Sequence, residues 1–176
     1  MQISNKKNIL ITQIHMAVGG IETVLLNLLN SIDKEKYNID LVLYYPRGEF
    51  IDKIPSWVNV MPVWYNTKHT AFWKNIIMSR NIFKRILKNV LVNNLTVKHF
   101  VSKKEYDVSI SFCGYHIFSN AFAAHSNAKK KLIWVHADYA KQFDLRDDFR
   151  KQFKKIYKQY PQYNIGLYFF QEHPEK

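Results

Sequence analysis

Only one cysteine, Cys113, occurs in the 176 residues. That scarcity excludes an internal disulfide framework and any zinc site built on cysteine thiolates, and it fits a reducing compartment. Acids are scarce as well: 14 Asp and Glu stand against 26 Lys and Arg, a formal net charge of +12. From residue 68 to residue 104 there are nine lysines and arginines and no acid. A surface this basic suits phosphate-bearing partners: nucleotide-like substrates, anionic lipid or nucleic acid. Long apolar runs are missing too. The first, Ile9-Leu10-Ile11, is followed at once by Thr12, Gln13 and His15, with no signal-peptide core and no small-residue cleavage site. No stretch is long and apolar enough to span a bilayer. The expected location is therefore the cytoplasm, with peripheral attachment at the inner face of the plasma membrane as the variant.

What is present is enough apolar material for one core. Hydrophobic residues make up 47% of the chain and aromatics 15%, and the length suits a single good-sized domain. Residues 8–14 predict a strand, residues 15–20 a loop, and residues 21–32 a helix whose apolar face is Ile21, Val24, Leu25, Leu28, Leu29 and Ile32. Glu22, in the first turn, suits the positive end of the helix dipole. A polar break at 33–38 precedes a strand over 39–45, where Leu41-Val42-Leu43 fits a strand buried on both faces. Further strands are expected at 58–60, 107–112, 131–135 and 164–170. Helices are expected at 71–92, 117–124 and 145–160. This alternation predicts an α/β fold, a doubly wound, mostly parallel sheet with helices on both faces. Ligands of such sheets bind at the C-terminal strand ends. The loops after the first, fourth and fifth strands are the candidate site.

Three features could carry chemistry. The first is the loop His15 to Glu22, where Gly19-Gly20 opens a helix. Backbone N–H groups and the helix dipole there suit an anion, and diphosphate is the natural candidate. A plain tight turn is the competing explanation, and the dinucleotide fingerprint G-x-G-x-x-G is absent. The second is His136, at the end of the 131–135 strand, placed to bond sugar hydroxyls or support a developing charge. The alternative is a buried histidine satisfied by backbone. Asp138 could orient that imidazole or cap a helix, and His116, after the fourth strand, could reach the cleft. The third is the 71–92 helix, whose Lys74, Arg80, Lys84, Arg85 and Lys88 accompany an apolar face. That pattern suits an anionic membrane interface; an ordinary helix with a solvated basic face is the alternative. No metal spacing, nucleophile elbow or recognised nucleic-acid motif is apparent.

Residues 7–160 resemble the N-terminal domain of family 4 retaining glycosyltransferases of the GT-B type. Three pieces carry the likeness, in order: Lys7-Asn8-Ile9-Leu10-Ile11 through Val18-Gly19-Gly20-Ile21-Glu22; Tyr106-Asp107-Val108-Ser109-Ile110-Ser111; and Lys131-Leu132-Ile133-Trp134-Val135-His136-Ala137-Asp138. The resemblance implies transfer of a sugar, with retained configuration, from a nucleotide-diphosphate sugar to a cell-envelope or polysaccharide acceptor, often lipid-linked. It implies no bound metal and no cofactor. His136 would take the catalytic place beside the donor sugar, and Gly19 and Gly20 would lie near the diphosphate. His15, Glu22, His116 and Asp138 complete the expected substrate-binding set. The family's second domain, which carries the donor-phosphate cations and the two-glutamate motif, has no counterpart here, and residues 161–176 depart from the family pattern. The expectation is a chain inactive alone, whether from an incomplete reading frame, a split gene or deliberate shortening. A separate donor-domain chain would be its partner. A non-catalytic membrane- or partner-docking remnant is the second reading, and a nucleic-acid module the last.

Overall fold

A computed structural model describes residues 6–62, 104–114 and 116–136, together with Lys158. The expected 71–92 helix with its five basic residues, Asp138, the 164–170 strand and the 161–176 tail lie outside the described residues. So does the 145–160 helix apart from Lys158, which is helical and exposed.

The described chain forms β1 (Lys7–Gln13), α1 (Gly20–Ser31), β2 (Tyr37–Leu43), a 3-10 turn (Ile51–Lys53), β3 (Asn59–Pro62), β4 (Glu105–Ser111), α2 (Ile117–His125) and β5 (Asn127–Ile133). The five strands make one sheet in the order β3-β2-β1-β4-β5, and every pairing is parallel. The α/β, doubly wound architecture is thus observed. Strand order reverses between β1 and β4, which creates a switch point where their C-terminal ends diverge.

Alternation along the strands sends side chains to two cores. Ile11, Ile39, Leu41, Leu43 and Phe112 pack under α1, against Leu25 and Leu29. Leu10, Val42 and Tyr44 pack on the other face, against Phe122 of α2. Helices therefore cover both faces. On the α2 side the covering is partly polar. Thr12 Oγ1 donates to the Ser119 carbonyl at 2.8 Å, Ser119 Oγ donates to the Thr12 carbonyl at 2.8 Å, and Ser111 Oγ reaches Ser119 Oγ at 2.9 Å. Each hydroxyl proton is used once, so a buried polar seam joins α2 to the two central strands without an unmet donor.

Asp40, in the middle of β2, is 3% exposed. It accepts from Lys104 Nζ at 2.9 Å, Asn59 Nδ2 at 2.9 Å and the Tyr106 hydroxyl at 2.7 Å. Burial pushes its carboxyl up, but those three bonds together outweigh burial and hold it below its ordinary range. The Tyr106 hydroxyl is pushed above its ordinary value, first by burial and then by donating to Asp40. The carboxylate ties β2, β3 and the start of β4 together.

Strand boundaries moved by one to four residues from expectation. β2 begins at Tyr37 rather than at 39, and β5 begins at Asn127 rather than at 131. The early half of β5 is Asn127-Ala128-Lys129-Lys130, mostly exposed. Its backbone pairs with β4 in register, Glu105 with Asn127 and Val108 with Lys130. Backbone pairing does not depend on side-chain polarity, so a hydrophobicity pattern cannot detect it.

Candidate functional site

Because the strands are parallel, their last residues form one rim. Gln13 pairs with Leu43, Thr12 with Ser111, and Ser111 with Ile133. The glycine loop follows β1, and His136 follows β5.

The loop after β1 is braced by the loop after β2. Tyr45 N–H donates to the Ile14 carbonyl at 2.7 Å, Met16 N–H to Arg47 at 2.9 Å, and Phe50 N–H to Met16 at 2.9 Å. Met16 is fully buried. Gly48 makes this approach possible: its φ is +122°, and a Cβ there would run into the Met16 and Ala17 backbone. Val18 N–H donates to the Glu49 carboxylate at 3.1 Å, while the Val18 side chain, 70% exposed, forms the loop's tip.

Gly19 is the N-cap of α1, with an extended φ of −170° that any residue adopts. Space, not conformation, constrains it, since a Cβ there would meet Glu22 Oε2. At Gly20 a Cβ would meet nothing within 4 Å. The two adjacent glycines therefore differ in kind: one is crowded by the protein's own carboxylate, the other faces open space.

Glu22 turns back over the helix start and is only 9% exposed. Its Oε1 accepts from Gln13 Nε2 at 3.1 Å, and His15 Nδ1 stands 3.4 Å from the same oxygen. His15 Nδ1 also accepts from Ala17 N–H at 3.3 Å. One nitrogen cannot accept from Ala17 and donate to Glu22 at once, so the two contacts compete. Gln13 is 2% exposed, and its Oε1 has no partner among the described residues. An unmet buried acceptor costs about 1–3 kcal/mol.

His136 packs its ring 4.6 Å from the Phe112 ring and stacks on Trp134 at 5.7 Å with a 7° interplanar angle. Burial holds its pKa below the ordinary histidine value, opposed by a hydrogen bond with the Phe112 backbone and by the charge of Glu22. Its Nε2 is buried without a partner among the described residues, which leaves the other nitrogen for the Phe112 bond. The influence of Glu22 on His136 places the two in one electrostatic neighbourhood. Phe112 links them further, since its N–H donates to the Thr12 carbonyl at 3.0 Å, next to Gln13.

His15, Gly19, Gly20, Glu22 and His136 thus share the α1 side of the rim. His116 does not join them. It precedes α2, and its ring lies 6.2 Å from that of Tyr44, a residue of the core on the α2 face. Gln13 was not among the sequence-derived candidates. Its signal was a polar residue closing an apolar strand of a parallel sheet, the position where such sheets present ligand-binding groups. Among the described residues no group of three or more His, Cys, Asp or Glu could hold a metal ion, and no helix is long and apolar enough to cross a membrane.

Chemically the neighbourhood is rich in acceptors: a carboxylate, an amide oxygen and an imidazole nitrogen. The N-terminus of α1 would by itself attract an anion, yet the Glu22 carboxylate already stands there. No protein-family model matches the chain, and no curated protein matches it either.

Proposed function

We propose that this chain forms one wall of a sugar-transfer cleft, as the acceptor-side domain of a retaining glycosyltransferase of the family 4 kind. The observation that carries the reading is that the glycine loop after β1 and His136 after β5 lie on one C-terminal rim of a sheet in the order β3-β2-β1-β4-β5, with the His136 ring against Phe112 of the core under α1. In the reaction, an acceptor hydroxyl oxygen replaces the nucleotide diphosphate at the anomeric carbon. The hydroxyl proton passes to an oxygen of the departing diphosphate, and configuration is kept. His136, its pKa lowered by burial, has a buried Nε2 with no partner among the described residues, the atom that would accept from a hydroxyl of the transferred sugar once the cleft is complete. Gly20, with open space over its backbone, suits the close approach of the donor. A nucleotide-binding wall on another domain or chain supplies the donor phosphates' cations. The basic 68–104 stretch holds the assembly against an anionic membrane that presents a lipid-linked acceptor.

The test uses the purified chain and anionic vesicles with and without a polyprenyl-linked sugar. The chain should sediment with both, more strongly with the sugar-bearing vesicles, and should transfer no sugar from nucleotide sugars by itself. Raised salt should weaken the binding to plain vesicles. Equal binding to both vesicle types, or turnover without a second chain, would overturn the proposal.

A further inference from the structure

We infer that His15 makes the glycine loop a two-state, pH-sensitive element: its neutral imidazole holds the loop through Ala17, and its protonated imidazole releases Ala17 and binds Glu22. The inference stands on the geometry of the loop after β1 and is independent of the transfer reading above. Both contacts fall on one atom. His15 Nδ1 accepts from Ala17 N–H at 3.3 Å and lies 3.4 Å from Glu22 Oε1. To accept from Ala17, Nδ1 must offer its lone pair, so the proton of the neutral ring sits on Nε2. Once both ring nitrogens carry protons, Nδ1 is a donor only. Ala17 N–H then faces a second donor, and the Glu22 carboxylate becomes the acceptor of a charge-assisted bond. Water supplies the proton, because the His15 side chain is 33% exposed. Histidine is the side chain whose charge ordinarily changes between about pH 5 and 8.

The surrounding contacts confine the change. Among the described residues, the charged groups facing the imidazole are Glu22, from α1, and Glu49, from the loop after β2. Glu49 accepts from Val18 N–H at 3.1 Å, and the backbone N–H groups of Glu49 itself and of Val18 hold its carboxyl below the ordinary range. It stays ionised through the histidine window, so the Val18 tether does not titrate there. Met16 is tied by backbone alone, its N–H to Arg47 and its carbonyl to Phe50, both at 2.9 Å. Of these three successive amides, only that of Ala17 bonds to a group that changes charge in the window. Ala17 is half-buried, so its released N–H turns to water. That rotation moves the peptide ahead of Val18 and Gly19, and one proton thereby changes the approach to the start of α1. The charge of Glu22 also acts on His136, whose pKa burial lowers, so the test includes a chain without that second imidazole.

NMR of the whole chain, labelled with nitrogen-15 and taken from about pH 8 to about pH 5.5, tests this across the histidine range. The readouts are the ring nitrogens of His15 and the hydrogen-exchange protection factors of the Met16, Ala17 and Val18 amides. At the upper end the neutral His15 ring should carry its proton on Nε2. As the ring gains its second proton, the Ala17 protection factor should fall about two- to tenfold, the loss of one neutral hydrogen bond. Met16 and Val18 should keep theirs. His15→Gln should abolish the Ala17 step, and His136→Phe should leave it in place. A neutral His15 ring protonated on Nδ1, or an Ala17 protection factor that stays level while His15 titrates, would overturn the inference. So would a loss shared equally by Met16 and Val18, a step that survives His15→Gln, or one that vanishes in His136→Phe.

Discussion

Replacing the two adjacent glycines by alanine, one at a time, should produce opposite results. At Gly20 the new methyl group meets nothing within 4 Å. Alanine there removes backbone freedom from the unfolded chain and suits the first helical turn, a gain of up to about 1 kcal/mol. At Gly19 the methyl group displaces Glu22 Oε2, and the carboxylate must swing away from Gln13. The lost bond involves a charged acceptor, about 1.5–3 kcal/mol. The entropy gain of alanine roughly cancels its poor capping. The net cost of Gly19→Ala should be about 1.5–3 kcal/mol, or about 0.75–1.5 M in the urea midpoint for an m-value of about 2 kcal/mol/M. The cause can be isolated, because in a Glu22→Ala background Gly19→Ala should lose most of its cost, with a coupling of about 1–2 kcal/mol. Urea unfolding followed by tryptophan fluorescence measures the wild type and all four variants. Equal midpoints for the two single alanines, or a coupling below about 0.5 kcal/mol, would refute the placement of the Glu22 carboxylate over Gly19. Gly20→Ala then becomes a clean functional probe, since a stable variant that lowers transfer when assayed together with a donor-binding chain would locate the ligand above that backbone.

Asp40→Ala should cost about 2–3 kcal/mol, because it strands the buried Tyr106 hydroxyl; a urea midpoint within about 0.5 M of wild type would contradict the hub. The Lys104 contribution is discounted in that figure, since its side chain is 47% exposed. Because the Asp40 carboxyl is held low in the fold, its contribution is present above the ordinary aspartate value of about 3.9 and is lost as pH falls further. His136 acts in the same direction, in a higher pH window. With its folded pKa depressed, the unfolded chain binds more protons just below about pH 6.5, so stability declines as pH falls through that window. His136→Phe should flatten that decline in Tm between about pH 6.5 and pH 5, and an identical slope in both proteins would show the imidazole is not buried as described. Gly48→Ala, at φ +122° against the Met16 and Ala17 backbone, should cost at least about 2–3 kcal/mol by the same urea assay, and a neutral result would mean the two loops do not brace each other.

Hydrophobic patterning made the frame legible. The apolar runs of β1 and β2, the 3.6-residue spacing of Leu25, Leu28, Leu29 and Ile32 in α1, and the strand ending near Ile133 all follow from side chains that must leave water. The rim as the candidate place for chemistry could be named from the sequence as well, since a parallel sheet presents its ligand groups at the C-terminal strand ends. The early half of β5 was not, because its lysines sit on backbone pairing that any side chain permits.

Sequence alone determined the class of fold, the order of strands and helices among the described residues, and the loop and histidine at the candidate rim. Local propensity and burial act on neighbours in the chain and need no knowledge of the rest. Tertiary structure alone decided the strand order β3-β2-β1-β4-β5, the gathering of Asn59, Lys104 and Tyr106 around Asp40, and the turn of Glu22 onto Gln13 and over Gly19. Each of these depends on where a buried charge or amide finds its partner. In a low-dielectric interior that partner is chosen by proximity in space, which the order of residues does not encode locally.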